Sequence, residues 1–126
     1  MNAAYVDSSI LVAIVLQERG WADLERRLAG FEHRVSANLL EAELRSAMSR
    51  EGLPEEKVPD LAWMEWIQPT RPLTPEFQRV LSTGHQKGAD LWHLACALFA
   101  SPTGGITFIS LDERQRQAAI KLGFST

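Results

Sequence analysis

The sequence predicts an α/β fold in which a parallel sheet is covered on both faces by helices. Short β-like runs alternate with segments of helical periodicity along the whole chain. Such alternation implies right-handed crossovers between parallel strands. The segment 89–100 is apolar almost all round, as expected of a helix at the centre of a fold. Acidic residues also stand where apolar segments begin or end, which is where ligands gather in open parallel sheets.

Strands are predicted at 3–7, 33–36, 65–69 and 105–110, and helices at 8–17, 21–29, 38–51, 55–65, 75–86, 89–100 and 113–122. Breaks at Gly20 and at 52–54, 69–75 and 101–105 separate them. Pro59 lies inside the 55–65 segment and is expected to bend that helix, because proline lacks an N–H and clashes one turn back.

Length and composition indicate one domain over residues 1–126, since 45% of the 126 residues are hydrophobic and no break is long enough for a linker. The longest apolar run, 10–16, is far shorter than the ~20 residues of a membrane span. A lone Cys96 excludes an intramolecular disulfide and a thiolate-cluster metal site. We therefore expect a soluble cytoplasmic protein without membrane contact.

The formal net charge of −3 argues at first against a polyanionic partner. Four of the 16 acids, however, are the candidate ligands described below, and without them 12 acids face 13 bases. Charge therefore neither excludes nor indicates nucleic acid.

Asp7 closes the first predicted strand and Asp112 follows the last one. If those strands are neighbours, both carboxylates point into one crevice. Helix capping is the alternative, because aspartate is a preferred N-cap, and Asp112 with Gln115 forms a capping box. The two roles are compatible.

Glu41 and Glu43 are two residues apart on one predicted helix, so they point to nearly opposite sides. Glu43 shares an i, i+3, i+7 stripe with Leu40 and Ala47, which places it on the inward face. Glu41 instead aligns with Arg45 at i+4, the spacing of a solvent-exposed ion pair. Glu43 is the better candidate, and Glu41 stays open.

Asp90 and His93 are the only side chains of the 89–100 helix with metal or acid-base chemistry. Asp90 lies in the first turn, where the helix dipole alone accounts for an acid. For His93, a structural or supporting hydrogen-bonding role is favoured over metal ligation.

Four blocks of the chain resemble the PIN domain family, and within it the VapC-type toxins of toxin–antitoxin pairs. The blocks are Tyr5 to Ser9, Ser36 to Ala47, Gly88 to Ala97, and Phe108 to Arg114 with the ending 122–124. The resemblance implies a PIN-like three-layer α/β/α fold with a central parallel sheet of about five strands. The family's acidic quartet maps onto Asp7, Glu43, Asp90 and Asp112, and its site hydroxyls onto Ser9 and Ser110. One departure is that the family's second acid corresponds to Ala42, between the two glutamates.

By this resemblance the protein is a ribonuclease that uses Mg²⁺ or Mn²⁺, since carboxylates suit these ions better than zinc. Asp7, Glu43 and Asp90 would hold the principal ion, with Asp112 helping a second ion or orienting water. The products would carry a 5′ phosphate and a 3′ hydroxyl. Because close carboxylates repel one another, we also expect metal to stabilise the fold.

The resemblance further implies an RNA substrate, a homodimer, and a cognate antitoxin whose carboxyl-terminal segment fills a groove near the acids. Substrate contacts are predicted for Arg45, Arg71 and Arg114 from their proximity to the motifs. The alternative function is a catalytically silent PIN-fold binding module. A phosphoacceptor receiver domain is disfavoured. It would need an acidic pair after the first strand and a lysine after the last one, whereas Asp7 is followed by two serines and Asp112 by Glu113 and Arg114.

Overall fold

The computed structural model describes residues 2–126, which form four strands and six α-helices. In chain order the elements are β1 (Ala3–Val6), α1 (Ser8–Val15), α2 (Trp21–Ala29), β2 (His33–Ala37), α3 (Leu39–Arg50), β3 (Glu65–Ile67), α4 (Thr74–Leu81), α5 (Gly88–Ala100), β4 (Thr107–Ile109) and α6 (Glu113–Lys121). No helix in this range is long and apolar enough to span a membrane.

The strands form one parallel sheet in the order β3-β2-β1-β4. Tyr5 in β1 lies beside Val35 of β2 and Phe108 of β4. Strands β2 and β3 therefore lie on one side of β1 and β4 lies on the other, so the strand order reverses beside β1. In open sheets of this kind, the crevice at the carboxyl ends of the strands next to the reversal is the usual ligand site.

Alternate residues of β1 enter two hydrophobic cores on opposite faces of the sheet, as the two-residue period of a strand requires. Tyr5 packs with residues of α4, α5 and α6. Ala4 and Val6 pack with residues of α1, α2 and α3. Three helices thus cover each face, and the predicted three-layer architecture is confirmed.

The sheet has four strands rather than about five. Along the outer side of β4, the Phe108 N–H donates to the Ser125 carbonyl at 2.8 Å, and Thr107 forms a single parallel bridge with Ser125. A fifth strand is reduced to this one bridge, because the pairing segment begins only after the turn at Gly123, whose φ is +99°.

The predicted helix at 55–65 is wrong. Only a single 3₁₀ turn, Glu55–Lys57, forms there. Val58, which precedes Pro59, has an extended backbone with φ −65° and ψ 124°. A residue before proline is disfavoured in the helical region, so Pro59 ends the helical path instead of bending it. The helix predicted at 75–86 likewise ends early, at Leu81.

Candidate active site

Asp7 and Asp112 lie at the carboxyl ends of two neighbouring strands, as a shared crevice requires. The Asp7 N–H donates to the carbonyl of Ile109, the last residue of β4, at 3.0 Å. Both side chains also cap helices. The Asp7 carboxylate accepts from the Ser9 N–H at 3.1 Å, and that of Asp112 accepts from the Gln115 N–H at 3.0 Å. Capping and a position in the crevice therefore coexist.

Buried hydrogen bonds orient the carboxylate of Asp7, which is only 4% exposed. Gln115 Nε2 donates to Asp7 Oδ1 at 3.4 Å. The Ser110 hydroxyl lies 3.3 Å from Asp7 Oδ2 and 2.7 Å from Gln115 Oε1, and the shorter contact marks the amide oxygen as its main acceptor. Because a buried charge needs such partners, Ser110 and Gln115 together hold Asp7 in place.

Gln115 was predicted only as a capping-box partner, whose side chain would return to the Asp112 N–H. Ser110 Oγ accepts from that N–H instead, at 3.0 Å, and the Gln115 side chain is fully buried beside Asp7. The sequence did contain a signal for this, since Gln115 and Ala119 on α6 and Leu122 at its C-cap form an i, i+4, i+7 stripe of buried positions.

Ser9 joins the two loops that carry the aspartates. Its hydroxyl oxygen accepts from the backbone N–H of Leu111 at 3.0 Å. This bond spans from the start of α1 to the loop between β4 and α6. Ser9 therefore fixes the spacing between Asp7 and Asp112, which is a supporting role.

Glu43 meets His93 across the crevice. Glu43 Oε1 lies 2.6 Å from His93 Nε2, and Asp7 Oδ1 lies 4.0 Å from the same nitrogen. His93 is fully buried, whereas the Glu43 side chain keeps 28% of its surface exposed. His93 therefore contacts both Glu43 on α3 and Asp7 just after β1, and the Glu43 side chain remains partly exposed to solvent.

Tyr5 completes a buried chain behind His93. Its hydroxyl lies 2.6 Å from His93 Nδ1 and accepts from the Ala37 N–H at 3.2 Å. The pKa of Tyr5 is raised well above its ordinary value, and burial is the largest of the causes. The phenol therefore keeps its proton. We assign that proton to the bond with His93 Nδ1, which leaves the ring N–H of His93 on Nε2, donating to Glu43.

Glu41 lies apart from this network. Its carboxylate accepts from Arg45 Nε at 2.8 Å, and the same guanidinium donates to Glu55 at 2.6 Å. The pair is exposed, as its i, i+4 spacing predicts. The structure therefore brings Glu43, and not Glu41, to His93 and Asp7.

Asp90 shares an electrostatic field with the other three acids. Burial raises the pKa of its carboxyl above the ordinary value, and the negative charges of Asp7, Asp112 and Glu43 raise it further. Direct contacts place three of the acids at this end of the sheet. Asp7 and Glu43 meet at His93 Nε2, and the Ser110 hydroxyl contacts both Asp7 Oδ2 and the Asp112 N–H.

The four carboxylates fit a divalent cation in chemical type and in charge. They are hard oxygen donors, which suit Mg²⁺ or Mn²⁺, and a cation relieves the repulsion felt by Asp90. Within residues 2–126, no three His, Cys, Asp or Glu side chains converge closely enough to hold an ion where they now stand. Closing around an ion therefore requires side-chain adjustment, for which the partly exposed Glu43 has room.

Of the three predicted substrate arginines, two are already paired. Arg45 binds two glutamates, as described, and Arg71 makes a bidentate pair with Glu76 at 2.9 and 2.7 Å. Within the described part of the chain, none of the ion pairs includes Arg114. Only Arg114, two residues after Asp112, keeps an uncommitted guanidinium.

A family model described as PIN domain matches residues 4–121. The match includes β4, all of β1 except Ala3, and all four acids. Searches of curated proteins and of solved structures gave no significant match.

Proposed function

Because this chain belongs to the PIN domain family, whose members are generally nucleases, we propose that it is a metal-dependent endoribonuclease that hydrolyses RNA phosphodiester bonds. The observation that carries the proposal is the meeting of Asp7 and Glu43 at His93 Nε2 at one edge of the sheet, with Asp112 joined to Asp7 through the Ser110 hydroxyl. Without a cation, such an edge repels a phosphodiester. A nuclease built on it therefore needs metal to reverse the sign of the site.

Asp7, Glu43 and Asp90 would hold the principal Mg²⁺ or Mn²⁺, and Asp112 would assist a second ion or orient water. A bound divalent ion would supply charge neutralisation at the phosphate and a lower pKa for bound water. The chain's own contribution is orientation. Gln115 and Ser110 hold the Asp7 carboxylate in place by hydrogen bonds, and a hydrogen bond from His93 orients the Glu43 carboxylate.

The proposed reaction is attack of a water oxygen on phosphorus with cleavage of the bond to the 3′ oxygen. The products are a 5′ phosphate and a 3′ hydroxyl: the attacking water gives up a proton to solvent, and the departing 3′ oxygen takes up a proton from solvent.

Within the family we propose the role of a VapC-type toxin that acts in the cytoplasm. The support is the sequence resemblance of the four blocks, which also suggests a homodimer and a cognate antitoxin. The carboxylate cluster is chemically suited to an inhibitory arginine, since a guanidinium binds carboxylates in bidentate fashion.

The second candidate is a catalytically silent PIN-fold module that acts by binding RNA or protein. It is favoured by one observation, namely that no three candidate ligand side chains within residues 2–126 converge as placed. The two candidates differ in whether RNA is cut.

The test is to incubate the purified protein with a pool of structured RNAs in Mg²⁺, in Mn²⁺ or in EDTA, and to sequence the fragment ends. We expect metal-dependent fragments that carry 5′ phosphates and that vanish with Asp7→Asn. Intact RNA in every condition, from a folded protein that binds metal, would favour the silent module.

Adjacent acids on α3 provide a matched control. Glu43→Gln should lose cleavage as Asp7→Asn does, whereas Glu41→Gln removes the same charge two residues away and should retain it. Equal loss in both variants would contradict the assignment of Glu43.

A further inference from the structure

A cleft of about 600 Å³ opens between residues 83–86 and α6. Both walls lead directly to candidate acids along the chain. The 83–86 segment precedes α5, which carries Asp90 in its first turn, and α6 begins immediately after its N-cap Asp112. The cleft therefore lies beside the start of α6, which Asp112 caps.

Its α6 wall carries two cationic side chains that no carboxylate neutralises within residues 2–126. Arg114 takes part in no ion pair there, and Lys121 Nζ donates to the uncharged carbonyl of Thr83 at 3.3 Å. Both line the cleft. This contrasts with Arg45 and Arg71, whose charges are committed to glutamates.

Glu113 is the one acid among the residues that line the cleft. It is hydrogen-bonded to Gln117 on the same wall at 2.7 Å and to Arg116, which does not line the cleft, at 3.4 Å. The opposite wall contributes His85 and the largely buried Gln86, which offer hydrogen bonds to sugar hydroxyls or base edges. The cleft thus has a positive balance beside a strongly negative crevice.

We infer that this cleft, the 83–86/α6 cleft, binds the phosphate backbone of a single RNA strand as it leaves the acids. The inference rests on the proposed function and adds the path of the substrate. Phosphate contacts from Arg114 and Lys121 would position the strand without reading its sequence, as backbone contacts do. They would also offset the repulsion that the strand meets at the acids.

The test measures binding separately from cleavage. Fluorescence anisotropy of a labelled single-stranded oligouridine would be followed with Asp7→Asn, which is expected not to cut, in Mg²⁺ at several salt concentrations. Adding Arg114→Gln and Lys121→Gln should weaken binding about tenfold and lower the salt slope by about 1.4, because each contact to a single strand contributes about 0.7. The matched control adds Arg26→Gln and Arg50→Gln, which remove the same charge from exposed positions outside the cleft. That control should change affinity less than about twofold.

Equal oligouridine affinity of the cleft and control variants, or no oligouridine binding by Asp7→Asn, would refute the proposal that the cleft binds RNA. Thermal melting of every variant checks the fold. In the Asp7→Asn protein without the cleft substitutions, a photoreactive thiouridine in the same RNA should cross-link to residues 83–86 or 113–121. Cross-links confined to other residues would also refute the proposed binding cleft. If the cleft binds RNA but the wild-type protein never cuts it, the cleft remains an RNA-binding site and the proposed nuclease activity is refuted.

Discussion

His93 Nε2 and Glu43 Oε1 lie 2.6 Å apart, although the two residues are 50 positions apart in the chain. The histidine is itself held by Tyr5, so the orientation of a candidate metal ligand is set from within the core. A hydrogen-bonded partner behind a ligand fixes its direction and raises metal affinity. His93 is thus a positioning residue for Glu43.

Replacing His93 with glutamine should weaken Mn²⁺ binding about 10- to 100-fold, because Glu43 loses its oriented donor. Calorimetric titration with Mn²⁺ measures this directly. His33→Gln is the control, since His33 pairs with Glu65 on the exposed side of β2 and should leave the Mn²⁺ affinity unchanged. Equal Mn²⁺ affinity in the two variants would remove His93 from the site.

Gln115→Ala should lower the free energy of unfolding by about 1–3 kcal/mol, because the buried Ser110 hydroxyl and Asp7 carboxylate each lose a partner. Gln117→Ala on the same helix removes an exposed amide and should change it by less than about 0.5 kcal/mol. Urea denaturation of the two variants provides the comparison. A similar small change in both would show that Gln115 does not support Asp7.

Asp90→Asn should stabilise the metal-free protein at neutral pH. A carboxyl whose pKa is raised on folding contributes stability below its unfolded value, here 3.8, and loses it as pH rises through the folded value. In EDTA, the wild-type protein should therefore lose stability relative to the variant as pH rises from below 3.8 toward neutrality. Urea unfolding of both proteins across this range tests the sign, and a stability difference that does not vary with pH would contradict it.

Cys96 should be inert in the folded protein. Its side chain is fully buried, and burial raises the pKa of the thiol to about 12. Because the thiolate is the reactive form, modification by an aromatic disulfide reagent at pH 8 should be at least roughly a thousandfold slower than in the urea-unfolded chain. Rapid labelling under native conditions would show that the core around α5 opens readily.

The local pattern of the sequence predicted the positions of Asp7 and Asp112 after two strands and of Glu43 on the inward side of its helix. Strand ends located Asp7 and Asp112, and the stripe shared with Leu40 and Ala47 correctly separated Glu43 from Glu41. Both predictions depend on periodicity within one element, which the chain displays directly.

Contacts between distant parts of the chain could not be read in the same way. Gln115 reaches Asp7 across 108 positions, and Tyr5 reaches His93 across 88. No local pattern encodes such a pairing, since it depends on which strands become neighbours. The failed helix at 55–65 has a different cause, because its helical periodicity was outweighed by the backbone restriction that Pro59 places on Val58.

The most direct measurement for the central claim, that four acids form one metal site, is Mn²⁺ affinity across single variants. We predict that the wild-type protein binds Mn²⁺, that Asp7→Asn, Glu43→Gln and Asp90→Asn each weaken binding at least about tenfold, and that Glu41→Gln does not. Equal affinity for Glu43→Gln and Glu41→Gln, or no binding by the wild-type protein at millimolar Mn²⁺, would contradict it.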